Sequence, residues 1–505
     1  MTGYDYVVVG GGTAGCVLAA RLTEDPAVCV LLLEAGGDER RPEIETPGAW
    51  PTLQGGEADW GFVTTRQAGT GRTVAAPRGK VLGGCGSINV MAHLRGFSGD
   101  FDGWAEQGAT GWDYAGVLPA FRRSETVPSG DPAARGRSGP LRPGPIASPH
   151  PLSLAHVQAA RAAGHRVATD LNDGTLIGAA LHELLIVDGR RQSTATAYLR
   201  PAMTRPNLTV HTDSVVTSLV IEHGRCHAVE YLRGGRPSRA GAGEVILTAG
   251  AVASPQLLMV SGIGAARELS GLGITVRQDL PGVGRNLQDH VMLAGIRVRA
   301  DRELPPPSGN YAEATLFART DAAQPGPELQ IVQIQVDYHL PWQDPAPGSF
   351  TFGVGHMRPR SRGRISLTCP DPTAAPLIDP GYLTDPWDVD QLIAGIEEVH
   401  RLVSTGAFAE WGGRSDTATL LQLDRPGLEE AVRNAVSSFF HLSGTCRMGN
   451  GPDSVVDPQL RVHGVDGLRV ADASVMPTIV SCNTNAATVM IAEKAAGLLT
   501  GAART

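Results

Sequence analysis

In YDYVVVGGGTAGCVLAARL, residues 4–22, three glycines stand at the spacing Gly10-x-Gly12-x-x-Gly15, which lets a backbone cradle a pyrophosphate. Glycine supplies 63 of the 505 residues, so this spacing alone arises by chance about once in such a chain. Its neighbours decide the matter. Tyr6–Val9 is a short β-branched run ending in glycine. From Ala14 to Thr23, Val17, Leu18 and Leu22 fall at helical spacing, and Val28–Leu33 is an apolar run of strand length ending at Glu34. The pattern predicts a strand–turn–helix–strand unit. In it Gly10 permits the tight turn, Gly12 lets phosphate approach the backbone and Gly15 lets the helix pack closely. The helix N-terminus adds free N–H groups and partial positive charge. Glu34 lies 19 residues beyond Gly15, where a carboxylate accepts the ribose hydroxyls of an adenosine.

A second constellation lies near the C-terminus. In GLRVADASVMP, residues 467–477, the short strand Leu468–Ala471 ends in Asp472, beside small Ala473 and Ser474. An acid at a strand end suits hydrogen bonding to ribityl or ribose hydroxyls. Asn483 and Thr484 then stand as caps for a helix from about Ala486 to Leu499. An isoalloxazine ring takes negative charge at N1/O2 on reduction, and a helix N-terminus stabilises it. The plain alternative is a polar-capped helix docking on the core.

These elements need a large scaffold. A chain of 505 residues exceeds one core, so at least two packed units are expected. A net charge of −8 with no basic run argues against nucleic acid as a partner. Lys80 and Lys494 are the sole lysines, which leaves little room for Schiff-base chemistry. The seven cysteines show no metal spacing and predict reduced thiols. With no basic leader and no long apolar stretch, neither export nor a membrane span is expected, and the predicted location is the cytoplasm. Residues 124–151, rich in Pro, Gly and Arg, predict an irregular excursion or lid outside the core, and 301–309 a Pro-rich loop. Strand patterns fill 208–249 and recur after 309, and 387–406 is a strongly periodic helix.

Several ordered motifs together resemble the glucose–methanol–choline (GMC) flavoprotein oxidoreductases over essentially the whole chain. Besides the Gly10–Glu34 unit these are GKVLGGCGSINVMAHLRG (79–96), GAVASPQLLMVSGIG (250–264), LPGVGRNLQDH (280–290), FHLSGTCRMG (440–449) and residues 456–496. The resemblance implies bound FAD and an α/β architecture: a Rossmann-type FAD-binding domain, discontinuous over 1–155, 195–293 and 455–505. An α+β substrate domain, built on an antiparallel sheet over the isoalloxazine, then takes 156–194 and 294–454. It implies Gly12, Thr13 and Ala14 at the phosphates, Glu34 and Ala35 at the adenosine ribose, and Leu82, Gly83, Asn89 and Val90 around the flavin. Val216 falls where relatives touch adenine, and Asp472, Ala473 and Thr484 return to the ribityl and pyrophosphate region. Ile88 stands where some relatives link a histidine to the flavin, so FAD is expected to be non-covalent.

Any one of the 14 histidines is, on residue type alone, a surface or core residue. The resemblance singles out His441 as general base for an alcohol O–H while hydride leaves carbon for flavin N5. It places Asn483 as the group holding the substrate oxygen, a role that coexists with capping. The implied activity is oxidation of a small-molecule alcohol to aldehyde or ketone, with oxygen or another acceptor taking the electrons. The alternative is a non-redox FAD-containing lyase of the same family. His93 is expected to line the site or stand behind it, and Cys85, Cys446 and Cys482 to be small buried residues. The chain departs from its relatives at Cys85, Gly86, His93, Leu442 and Cys482, which bears on the substrate. Substrate contacts are expected from 311–360, with Tyr338, Phe350, Phe352 and His356 as candidates, and from 124–151; strand alternation turns half of these candidates away.

Overall fold

The computed structural model describes residues 3–501. Strand β1 (Gly3–Val9), helix α1 (Thr13–Leu22) and strand β2 (Val30–Leu33) form the expected N-terminal unit, with β1 and β2 parallel. β1 starts three residues before the β-branched run, and α1 starts at Thr13 rather than Ala14. All four residues of β2 are buried, as a strand covered on both faces requires. The parallel sheet runs 208–211, β2, β1, 236–247, with 468–470 parallel to the end of 236–247. Strands 214–222 and 225–233 extend it as an antiparallel meander on the other half of 236–247. Helices α1, Asn485–Thr500 and Tyr114–Ser124 pack together. The two ends of the chain thus meet over one sheet.

The second sheet is antiparallel, in the order 414–415, 291–299, 349–356, 329–334, 314–318, 178–181, with 436–438 also paired to 291–299. Helices Pro386–Ser404 and Pro151–Ala162 cover one face. The first begins at Pro386, whose missing N–H costs nothing there, and Asp385 caps it by accepting from Trp387 N at 2.9 Å. Its apolar residues Val389, Leu392, Ile396, Val399 and Leu402 join the sheet's Leu329, Ile331, Phe350, Phe352 and Val354 in one core. The expected domain boundaries at 155 and 293 fall inside helix Pro151–Ala162 and strand Val291–Arg299, both belonging to this second layer.

The excursion 124–151 is not an open lid. Glu125 and Arg135 are almost completely buried, and Glu125 accepts from Arg135 Nε at 2.7 Å and pairs with Arg95 and His93. The buried ion cluster ties the excursion to the core. No helix among the described residues is long and apolar enough to cross a membrane.

Candidate active site

One cavity runs between the two sheets. It starts at Gly12–Ala14, passes Asn89–Val90, Thr248–Ala253 and Asp472–Ala473, and reaches His441 and Asn483–Thr484. The second sheet closes that end with Met292, Gln330, Val332 and Ile334. The alternation of strand 329–334 explains the lining: Gln330, Val332 and Ile334 share a face, and Leu329 and Ile331 look to the helices.

The catalytic candidates meet here. His441 Nδ1 lies 2.9 Å from Nδ1 of His290, and His290 Nε2 lies 3.1 Å from the carbonyl of Met357. A carbonyl only accepts, so His290 Nε2 carries its proton and its Nδ1 is a lone pair. His441 Nδ1–H therefore donates to His290, leaving His441 Nε2 unprotonated. Asn483 completes the chain: its Oδ1 accepts from Gln330 Nε2 at 3.3 Å, and its Nδ2 donates to His441 Nε2 at 3.3 Å. Main-chain bonds fix the ring's position. His441 N donates to Asp289 Oδ1 at 2.7 Å, and Asp289 Oδ2 accepts from Ser438 Oγ at 2.6 Å and from Tyr382. Phe440, directly before His441, is held at φ +66 with its N–H on Ser438 Oγ, backbone strain that this network sustains.

Burial, aided by the nearby Arg78 guanidinium, pulls His441 from 6.5 down to about 3. Burial pulls His290 well below its ordinary value. Both are neutral at ordinary pH, and His441 is a base without first losing a proton. The expected kcat/KM is therefore flat from about pH 8 down to about pH 5, with no break near the ordinary histidine value. A break at that value in a pH–rate profile contradicts the assignment. The sign for stability follows: the unfolded chain binds these protons below 6.5 and the folded chain does not, so stability falls as pH drops from 6.5 toward 3.

The phosphate end is built as a close approach. A Cβ on Gly15 would lie 1.9 Å from the Gly10 carbonyl oxygen, so only glycine lets α1 pack there. A Cβ on Gly12 would meet no protein atom nearer than 3.8 Å, so the backbone is open to a ligand. Thr13 Oγ1 accepts from Asn485 Nδ2 at 3.3 Å, joining the two helix N-termini. Asp472 accepts from Gly250 N, Ser254 Oγ and Ser474 N.

Of the expected site residues, Gly12, Thr13, Ala14, Asn89, Val90, His441, Asp472, Ala473, Asn483 and Thr484 line the cavity. Gly10, Gly15, Glu34, Ala35, Leu82, Gly83 and Val216 stand outside that lining. Glu34 accepts from Gly11 N at 2.7 Å and Gly36 N at 2.8 Å, tying the glycine loop to the end of β2, and burial raises it to about 7. Thr484 occupies the N-cap position without a side-chain cap bond, and the Asn483 amide is engaged with Gln330 and His441, so the expected capping is absent.

The substrate-side expectations need correction. Phe350, Phe352 and His356 share one parity, so they all face the helix side, where Phe350 and Phe352 join the apolar core and His356 bonds Asp388 at 3.1 Å. Only Tyr338 of the four lines the cavity, and nothing from 124–151 does. His93 turns away to Glu125 at 3.1 Å, and Cys85 lines the cavity instead of being fully buried. Asp289 and His290 lay in a quoted motif but carried no signal of their own, and His182, Arg78 and Gln330 carried none.

Models of the GMC oxidoreductase family match residues 4–292 and 359–492. The chain belongs to the GMC oxidoreductase family. It is 40% identical to human mitochondrial choline dehydrogenase, covering 99% of this chain and 90% of that protein. It is 37% identical to the oxygen-dependent choline dehydrogenase of Rhizobium etli, covering 98% and 95%. Among solved structures it superposes on pyridoxine 4-oxidase from Mesorbium loti with a TM-score of 0.94 at 35% identity over 98% of both chains. A formate oxidase gives 0.91 at 27% identity, over 99% of this chain and 98% of that one. As a GMC oxidoreductase this chain is an FAD-dependent alcohol oxidoreductase with a Rossmann-type FAD-binding domain. Its residues fit that cofactor: no protein atom comes nearer than 3.8 Å to a Cβ built at Gly12, two helix N-termini meet at Thr13, and one continuous cavity leads from there to His441.

Proposed function

We propose that the protein oxidises an alcohol to an aldehyde or ketone with His441 as the general base and Asn483 as the group that holds the reacting oxygen. The observation that carries this reading is the hydrogen-bond chain Met357–His290–His441, which leaves Nε2 of His441 unprotonated at the cavity, with Asn483 Nδ2 as its donor. FAD, when bound, supplies the acceptor for the carbon-bound hydride.

The chain's own residues handle the proton. A substrate hydroxyl entering between His441 Nε2 and Asn483 Nδ2, now 3.3 Å apart, donates to the first and accepts from the second. His441 removes the proton, and Asn483, held by Gln330, stabilises the alkoxide character on the oxygen. His290 accepts from the imidazolium through Nδ1 and keeps the ring aimed. Ile88 at the cavity wall has no nucleophile, which supports non-covalent cofactor binding. Gly12, Thr13 and Asp472 are the cofactor-holding residues in this reading, with Glu34 acting behind the glycine loop. Oxygen or another acceptor takes the electrons away. The choline dehydrogenases, the pyridoxine 4-oxidase and the formate oxidase above are all oxidoreductases, and none of them supports the lyase alternative.

The test is anaerobic titration of the purified holoenzyme with a panel of alcohols. The expected result is stoichiometric loss of the visible flavin band and formation of the carbonyl product. A flavin that no alcohol bleaches overturns the reading.

A further inference from the structure

Two polar side chains in the wall of the cavity lack half of their partners. His182, 3% exposed, lies just past strand 178–181 and donates from Nδ1 to the carbonyl of Ala312 at 3.0 Å. Burial holds it neutral, down to about 4, so its Nε2 is a lone-pair acceptor, and it has no partner. Gln330, 1% exposed, spends its Nε2 on Asn483, and its Oε1 is a second acceptor without a partner. Both residues line the cavity. Buried acceptors without a donor are rare because they lose water and gain nothing, so a pair in one ligand-binding wall calls for donors on the ligand.

The charges around them point the same way. Asp472 is the one carboxylate among the cavity-lining residues, and it already holds three donors at the opposite end. The one guanidinium in the lining, Arg78, lies close enough to act on His441, and its Nε and Nη2 have no partner. A cationic substrate at His441 would meet like charge from Arg78, while the nearby Asp289 carboxylate is outside the lining and already accepts from the His441 N–H, Ser438 and Tyr382. Among the aromatic rings of the lining, Trp60 already carries Lys80 Nζ at 4.8 Å with Phe62 stacked on it, while Trp50, Tyr338, Phe439 and Phe440 remain as apolar surface for the body of a substrate. The remaining wall, Met292, Val332, Ile334, Tyr338 and Phe439, is mainly apolar.

We infer that the substrate is an uncharged alcohol with an apolar body and a second O–H or N–H donor that pairs with Nε2 of His182, rather than a quaternary ammonium alcohol. This rests on the alcohol-oxidation reading above and adds the class of alcohol to it.

The test compares kcat/KM of the holoenzyme for matched alcohols: benzyl alcohol against its three ring-hydroxylated isomers, n-butanol against the butanediols, and choline. The expected result is that at least one hydroxylated member exceeds its parent by about 100-fold, because a site built to pair a donor rejects the analogue lacking it. Choline should be the poorest. His182→Leu should reduce that preference to within about threefold, and His182→Gln, which keeps an acceptor, should retain most of it. The flavin spectrum and melting temperature of each variant confirm folding. Choline as the best substrate, parents and hydroxylated partners turning over alike, or a preference unchanged in His182→Leu each overturns this inference and leaves alcohol oxidation standing. Turnover of no alcohol overturns both.

Discussion

Replacing His441 with alanine is expected to slow alcohol oxidation by about 10²–10⁴-fold, the range that a positioned general base contributes. In free energy that is about 3–5 kcal/mol of lost transition-state stabilisation. The loss should fall on kcat and kcat/KM together, because His441 takes the proton, beyond the hydrogen bond it accepts from the bound alcohol, only as the O–H bond breaks. Flavin content should be retained, since the glycine loop, Thr13 and Asp472 lie at the other end of the cavity. The variant leaves His290 Nδ1, which now accepts from His441 at 2.9 Å, without a donor. A modest drop in stability of about 1–3 kcal/mol follows from that orphaned acceptor. His441→Gln, whose amide is closer in size, separates the two effects: activity remains low while the melting temperature recovers. Steady-state kinetics with a flavin count per chain checks this, and an alanine variant with more than a tenth of wild-type kcat would contradict it.

The second large effect concerns cofactor retention. Gly15→Val should yield protein without flavin, because the first side-chain carbon falls 1.9 Å from the Gly10 carbonyl oxygen and 2.9 Å from Thr248 Oγ1. Backbone cannot move aside as a flexible side chain can, so α1 must leave β1, at a cost of about 3 kcal/mol or more. Gly12→Ala is the informative partner. Its added carbon meets no protein atom within 3.8 Å, so the apoprotein should melt near the wild-type apoprotein while flavin binding weakens. That contrast distinguishes a glycine needed for packing from one needed for the ligand. Equal flavin content in Gly12→Ala and wild type would remove the phosphate role from this loop.

The unit 3–34 was legible in the sequence because its signals are local: β-branched residues, glycine spacing, helical periodicity and an apolar run all lie within 32 residues. The C-terminal pieces, strand 468–470 with Asp472 and helix 485–500, were legible for the same reason. His441 and Asn483 became visible only through the family resemblance, since nothing about a single histidine marks it as a base. What the sequence hid is pairing over distance. His290 meets His441 across 151 positions, and Gln330 meets Asn483 across 153, so no window of residues carries either contact. Residues 124–151 read as an irregular excursion or lid because their composition is that of a loop, and they are irregular, but they are anchored in the core. Their anchor, Glu125 between Arg95 and Arg135, is a buried charge cluster that composition does not reveal. The aromatic candidates on strand 349–356 failed for a simpler reason. Phe350, Phe352 and His356 are separated by even steps, so one face had to hold all three, and the helix Pro386–Ser404 covers that face.

In the proposed reaction His441, neutral and aimed by His290, removes the hydroxyl proton. Anaerobic stopped-flow measurement of flavin reduction by a single alcohol, for wild type and His441→Ala from about pH 6 to about pH 10, tests it most directly. The expected wild-type rate is nearly flat, and the expected alanine rate is far lower at neutrality but rises about tenfold per pH unit as solvent hydroxide takes over the proton. An alanine variant that follows the wild-type rate and profile would contradict the assignment of His441 as the base.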